Sequence, residues 1–319
     1  MTEPTDPLAF LDPDCKPILA RMAEGRSRRR DGAVSFIDIR KNAAALFVPW
    51  NTGGPVPAHV ETIELPGAVG PRRVRRYTPT AEAGPQPTLF YMHGGGWIIG
   101  DLEIEDRYLR EIAVASGVQI LSLDYALAPE HRFPVPLHDC VALVQSALER
   151  AGALQIDPAR IGLGGASAGA NLAIATALAL RDHGVTLVSL LLNCGAFATT
   201  HESRGQAIDD TGPSPADMQY FLSQYLEVPA QRDDPRVNIL AASLHGLPAT
   251  KLIAATIDPL RDDSIALARR LSDHGVANNL SLYPGAIHGF MAMCGEAAAA
   301  NAAITEAAAY LKDTLGKAG

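Results

Sequence analysis

Several things are scarce in these 319 residues, and each scarcity excludes something. There are four cysteines, Cys15, Cys140, Cys194 and Cys294, too far apart to form the short pairings of zinc or redox sites. Cys140 and Cys194 sit in apolar runs, as small buried hydrophobes do. That usage fits a reduced, cytoplasmic setting. Charge is sparse as well, at 19% of residues, and the net charge is -8. An acidic chain gains little from a phosphate backbone or an anionic bilayer, so no nucleic acid and no membrane is expected as a partner. One basic cluster, Arg26, Arg28, Arg29 and Arg30, is short, lies among polar residues, and reads as a solvated face. No apolar run is long enough to cross a bilayer. Met1-Thr2-Glu3-Pro4 does not begin a basic-then-apolar leader, so no secretory signal is expected. What is plentiful is apolar: 47% of residues are hydrophobic, enough for a large core and too much for a disordered chain. The length fits one large α/β domain or two smaller ones.

The patterning changes along the chain. Up to about Pro57 the spacing is helical, with Leu8, Phe10, Leu11, Ile18, Leu19 and Met22 able to share an apolar face. Gly53-Gly54-Pro55 ends it. Residues 60–65 and 72–77 then alternate like paired strands, with Pro66-Gly67 opening the turn between them. From there strands and helices take turns. Strands are expected at 88–92, 119–123, 160–164, 187–192, 251–257 and 279–283. Helices are expected at 102–116, 137–149, 171–180, 260–271 and 296–315. This alternation predicts a mostly parallel sheet with helices on both faces. The segment between Asn193 and Pro248 interrupts it. There Ser214-Pro215-Ala216-Asp217 looks like a helix start, and Met218, Phe221, Leu222 and Tyr225 fall on one face of the helix that follows. Such an insertion is either a lid or a surface helix packed on the core.

Gly165-Ala166-Ser167-Ala168-Gly169 stands between the strand at 160–164 and the helix at 171–180. A serine at the apex of a strand–turn–helix, flanked by small residues, is the layout of a nucleophile elbow. His93-Gly94-Gly95-Gly96 follows the strand at 88–92, and its bare backbone N–H groups could stabilise an oxyanion. No Gly-Lys-Ser/Thr follows to make a phosphate loop, and no second ligand stands at helical spacing to make His93 a metal ligand. Of nine histidines, His288 is the candidate base, because it lies in a glycine-containing loop just beyond the strand at 279–283. Asp258 directly ends the strand at 251–257 and is the candidate orienting acid. Asp262 and Asp263 are its rivals, but they fall in the next helix and are expected to face solvent. The chain order Ser167, Asp258, His288 is that of α/β-hydrolases.

With these residues in view, the chain resembles the hormone-sensitive lipase-like family of α/β-hydrolases, the bacterial carboxylesterases. The resemblance is carried by Tyr91-Met92-His93-Gly94-Gly95-Gly96-Trp97, Asp124-Tyr125-Ala126-Leu127-Ala128-Pro129-Glu130, Gly165-Ala166-Ser167-Ala168-Gly169, Asp258-Pro259-Leu260-Arg261-Asp262 and His288-Gly289-Phe290. It implies an α/β-hydrolase fold with an eight-stranded, mostly parallel sheet flanked by helices and a helical cap. The cap would comprise helices within 1–57 and an insertion at 199–240, and the catalytic domain would comprise 58–198 and 241–319. It further implies a serine carboxylesterase for short-acyl, small-molecule esters, with Ser167, Asp258 and His288 catalytic and the N–H groups of Gly94, Gly95 and Ala168 as the oxyanion hole. Met218, Tyr220, Phe221 and Tyr225 are candidates to line the acyl pocket. No cofactor and no metal is expected, and a homodimer through the last strand and helix follows by analogy.

The chain departs from the family pattern at Ala166, where many members carry Asp or Thr, and at Ala170, where many carry Gly. Two alternatives share the fold. One is an amidase or arylformamidase, built from the same parts. The other is a non-catalytic binder like the plant gibberellin receptor, in which the catalytic histidine is missing; here Asp258 and His288 are both present.

Overall fold

The structure is a computed structural model, and it describes residues 10–27, 35–81, 84–200 and 211–316. Leu8, Arg28, Arg29, Arg30 and residues 201–210 of the insertion lie outside the described residues. Among the described residues eight strands form one sheet: β1 (His59–Gly67), β2 (Gly70–Thr78), β3 (Gln86–Met92), β4 (Gln119–Leu123), β5 (Ile156–Ala166), β6 (Ser189–Asn193), β7 (Ala249–Ile257) and β8 (Asn278–Ile287). Their order across the sheet is β1-β2-β4-β3-β5-β6-β7-β8. β1 and β2 pair antiparallel, as do β2 and β4, and the strands from β4 and β3 through to β8 all run parallel.

The parallel strands read as unbroken apolar runs because both of their faces are covered. Along β3 the side chains separate alternately. Leu89 and Tyr91 enter one core, and Phe90 and Met92 enter the other. One core is closed by α4 (Val135–Glu149), α6 (Ala168–Asp182) and α8 (Arg261–Asp273), joined by α7 (Pro215–Tyr225) from the insertion. The other is closed by α3 (Asp106–Ser116) and α9 (Ala298–Thr314), with Cys15 and Ile18 of α1 (Cys15–Ser27). The remaining α-helices among the described residues are α2 (Phe36–Phe47) and the four-residue α5 (Ala151–Leu154). No helix among the described residues is long and apolar enough to cross a membrane.

Three local expectations are corrected. Helix α3 begins at Asp106, not at Leu102. Residues 102–105 are turn instead, with the Glu103 N–H donating to Asp101 Oδ1 at 2.8 Å. Phe10 does not share the apolar face with Leu11 and Ile18. It is 63% exposed, because the chain turns at Asp12, whose N–H donates to Gly285 O, and only Leu11 points inward. Asp263 does not face solvent. It is buried, and its Oδ2 accepts the N–H groups of Phe197 and Ala198, both at 2.8 Å. A carboxylate at the start of α8 thereby satisfies two donors of the loop that leaves β6.

Candidate active site

Parallel strands present their C-terminal ends on one edge, and the loops at that edge carry the site. β5 ends at Ala166, and α6 starts at Ala168. Ser167 between them has φ 53° and ψ -119°, a region that non-glycine residues seldom occupy. Several contacts hold it there. The Ser167 N–H donates to Asn193 O at 2.9 Å, and Ser167 O accepts the Ala170 N–H at 3.1 Å. Asn171 Nδ2 ties the start of α6 to Ala196 O and Val237 O, at 2.9 and 2.8 Å. The flanking glycines are obligatory. A methyl group on Gly165 would lie 2.4 Å from the Gly169 backbone, and one on Gly169 would lie 2.0 Å from Met92 O.

The structure brings Ser167, Asp258 and His288 together. His288 Nδ1 is 2.8 Å from Asp258 Oδ2, and His288 Nε2 is 3.1 Å from Ser167 Oγ. A carboxylate only accepts, so Nδ1 carries the hydrogen. Nε2 is left with a lone pair for the serine hydroxyl. Asp258 is pinned in turn, its Oδ1 accepting the Leu260 N–H at 2.8 Å. The His288 N–H donates to Thr211 O at 2.9 Å, which fixes the loop just beyond β8. Cys194, Asp258 and His288 place a sulfur, an oxygen and a ring nitrogen within 4.8 Å of one another. As a metal site the trio is poor: ring and carboxylate are bonded to each other, and burial pushes the Cys194 thiol well above its usual range, so it keeps its proton.

The glycine loop after β3 curls over Ser167. Its shape depends on the Asp124–Glu130 segment. Tyr125 stacks on His93 with ring centres 4.4 Å apart and donates its hydroxyl to His93 O at 2.8 Å. Arg40 of α2 donates to Ile98 O and Ala128 O, both at 2.8 Å, and pairs with Glu130. Gly96, at φ 59°, lies flat against the Phe221 ring, 2.7 Å from where a methyl group would sit. The N–H groups of Gly95, Gly96 and Ala168 meet no acceptor among the described residues. Gly94 is different, and the expectation for it is corrected. Its N–H donates to Glu105 Oε1 at 3.0 Å and is not free for a ligand.

Ser167 and His288 open into a cavity of about 390 Å³ with a largely apolar lining. Met218 and Phe221 of α7 form part of its wall, facing Ala43, Leu46, Phe47 and Trp50 on and just after α2. Tyr220 and Tyr225 do not line it. The Tyr220 ring points outward, 45% exposed. Tyr225 is buried beneath the glycine loop, stacked on Trp97 at 4.8 Å and edge-on to Phe133. Helical spacing put Tyr225 on the inward face with Met218 and Leu222, but that face buries part of α7 in the core and only part at the cavity.

Two site residues escaped the sequence reading. Gly96 was visible in the glycine run and needed only hydrogen-bond accounting to be preferred over Gly94. Glu105 gave no signal, because Leu102-Glu103-Ile104-Glu105 resembles the solvated face of a helix. In the structure Glu105 is buried beside the glycine loop, and that burial pushes its carboxyl up to about 8.

Comparison with known proteins agrees with this architecture. The family described as alpha/beta hydrolase fold matches residues 89–292. An ester-hydrolase from the metagenome of Lake Arreo is 32% identical, with 96% of this chain and 100% of that one covered and a TM-score of 0.87. The hyperthermophilic esterase of the archaeon Pyrobaculum calidifontis is 30% identical over 95% of this chain and 98% of its own, with a TM-score of 0.87. A thermostable carboxylesterase cloned from a metagenomic library is 29% identical over 88% and 98%, with a TM-score of 0.84. The eight-stranded sheet, the ordered motifs and these matches together establish that the chain belongs to the hormone-sensitive lipase-like family of α/β-hydrolases.

Proposed function

We propose that this protein is a serine carboxylesterase for small esters with short acyl groups. The observation that carries the reading is the hydrogen-bonded chain Ser167–His288–Asp258 at the mouth of an apolar cavity. His288 Nε2 takes the hydroxyl proton as Ser167 Oγ bonds to the ester carbonyl carbon. The carbonyl electron pair moves onto oxygen, where the N–H groups of Gly95, Gly96 and Ala168 receive it. Each such donor is worth about 3 kcal/mol in the transition state. Collapse expels the alcohol, protonated by His288, and leaves an acyl-Ser167 ester. Water, deprotonated by His288, then releases the acid and restores the serine. Asp258 holds the ring tautomer and stabilises its charged form throughout. Every proton and bond is accounted for by these groups, so no cofactor is invoked.

The cap in this reading consists of the N-terminal helices within 1–57 and the 199–240 insertion, whose described parts supply Met22, Phe47, Met218 and Phe221 to the cavity wall. The four cysteines are buried free thiols, which supports a reducing, cytoplasmic setting. β8 ends the sheet with Leu282 exposed, which supports a homodimer through that edge, measurable by sedimentation. The test of function is an acyl series of para-nitrophenyl esters with matched amides and a Ser167→Ala control. Rates should fall steeply beyond about six to eight acyl carbons, as expected for a cavity of this size. Equal rates on long-chain emulsions, or faster turnover of the amides, would overturn the assignment.

A further inference from the structure

Glu105 is an unusual group to find at the wall of an apolar cavity. It is buried, its Oε1 accepts the Gly94 N–H, and the Tyr108 hydroxyl is the other group that interacts with its carboxyl. No lysine or arginine pairs with it among the described residues. The titratable groups that face it are phenols. Tyr108 of α3 lies beside its carboxyl and shares a 2.8 Å hydrogen bond with Tyr91 of β3, and Tyr125 stands behind the glycine loop. Burial drives all three hydroxyls well above their ordinary range, so none supplies or removes charge near neutrality. Across the cavity stand Ser167 and the ring of His288. A methyl group placed on Gly94 would lie 3.4 Å from Glu105 Oε1 and 3.6 Å from Ser167 Cβ, so carboxyl and nucleophile are near neighbours.

We infer that Glu105 is a positioning residue for the oxyanion loop, and that the loop it anchors supports turnover only while the Glu105 carboxyl carries a proton. The inference rests on the esterase reading. By taking the N–H of Gly94, Glu105 anchors the first glycine of the loop and leaves the next two N–H groups to face the reacting carbonyl. A neutral acid does this without placing charge in the site. An ionised one sets a full negative charge, uncompensated by any cation among the described residues, beside the place where the ester oxygen must itself become negative. With burial holding its carboxyl up to about 8, Glu105 stays protonated at neutrality and ionises within the working range of a hydrolase.

The test is the pH dependence of kcat and KM for para-nitrophenyl butyrate, from about pH 6 to about pH 10. It compares wild type with Glu105→Gln, which keeps the acceptor for Gly94 but cannot ionise, and with Glu105→Leu, which has no acceptor. Wild-type kcat should fall by about tenfold per pH unit above the ionisation of Glu105, while KM changes little. Glu105→Gln should hold its neutral-pH kcat across that range. Glu105→Leu should show a depressed kcat at every pH and no alkaline fall. Thermal unfolding of each variant shows that it is folded. An alkaline fall that persists unchanged in Glu105→Gln, or a wild-type kcat flat to about pH 10, overturns the inference. Failure of the esterase reading looks different: no fluorophosphonate labelling of Ser167 in the wild type at neutral pH, which overturns both.

Discussion

Replacing Asp258 by Asn changes one atom and should nearly abolish turnover. Asp258 Oδ1 is committed to the Leu260 N–H at 2.8 Å, and Oδ2 to His288 Nδ1 at 2.8 Å. In Asp258→Asn the remaining carbonyl oxygen can keep only one of these partners. The side chain is buried, so water cannot replace the other. If the oxygen stays with Leu260, the amide NH2 faces Nδ1, and two donors oppose each other. The ring then relieves the clash by moving its hydrogen to Nε2, the nitrogen 3.1 Å from Ser167 Oγ, which can no longer accept the serine proton. Loss of the correct tautomer with the geometry otherwise intact costs about ten-thousand-fold in kcat. That is about 5 kcal/mol of transition-state stabilisation. The assay is kcat and KM on para-nitrophenyl butyrate, with urea unfolding to show that the fold survives. KM should change little, because Asp258 is buried behind His288 and does not line the cavity. A folded Asp258→Asn that loses less than about tenfold in kcat would refute the assignment of Asp258 as the orienting acid.

Other predictions concern the cavity, the core and Glu105. Phe221→Ala removes the ring packed on Gly96 and should raise the ratio of hexanoyl to acetyl ester kcat/KM by about tenfold; an unchanged ratio would remove Phe221 from the acyl pocket. Asp263→Ala leaves the N–H groups of Phe197 and Ala198 without their acceptor and should destabilise the fold by about 2–4 kcal/mol in urea unfolding. Glu105 affects stability as well as rate. Its folded-state carboxyl is raised from 4.5 to about 8, so the folded chain holds a proton that the unfolded chain has released. Stability therefore falls as pH rises between those values, and above them the full cost of the buried charge is present, at most about 5 kcal/mol. Glu105→Gln should accordingly unfold at higher urea than wild type near pH 9, with the difference shrinking near pH 5; a difference independent of pH would contradict the burial of a titrating carboxyl.

How much of this was legible in the sequence depended on whether a signal was local. β4 occupies 119–123 as expected, and β3, β7 and α7 begin or end within two residues of expectation, because each is a compact apolar or amphipathic run between glycine, proline or polar breaks. Ser167, Asp258 and His288 were legible because each lies beyond an expected strand end, and parallel strands place their ends on one edge; for His288 the expected loop at 284–287 is in fact the end of β8, so the histidine directly follows the strand. Groups whose role depends on a distant partner were hidden. The Asp263 carboxylate finds its donors more than sixty residues away in the loop after β6, so its helix position gave no clue. Glu105 sits in a run that alternates apolar and acidic residues, and only the fold carries it beneath Gly94. Tyr225 shares the apolar face of α7 with Met218, yet the stack on Trp97 holds it below the loop while Met218 reaches the cavity. The departures at Ala166 and Ala170 were visible from the start. In the structure Ala170 is fully buried in α6, while Ala166 lines the cavity beside Ser167, so of the two only Ala166 can meet a substrate.

Every step proposed for this site requires Ser167 to be an activated nucleophile. Mass analysis of the peptide containing Ser167 after treatment with a fluorophosphonate tests it most directly. One phosphonyl adduct on Ser167 is expected in the wild type, formed far more slowly in Asp258→Asn and absent in Ser167→Ala, which should also lose ester hydrolysis. An unlabelled Ser167 in folded protein, or a Ser167→Ala variant that still turns over esters at the wild-type rate, would contradict it.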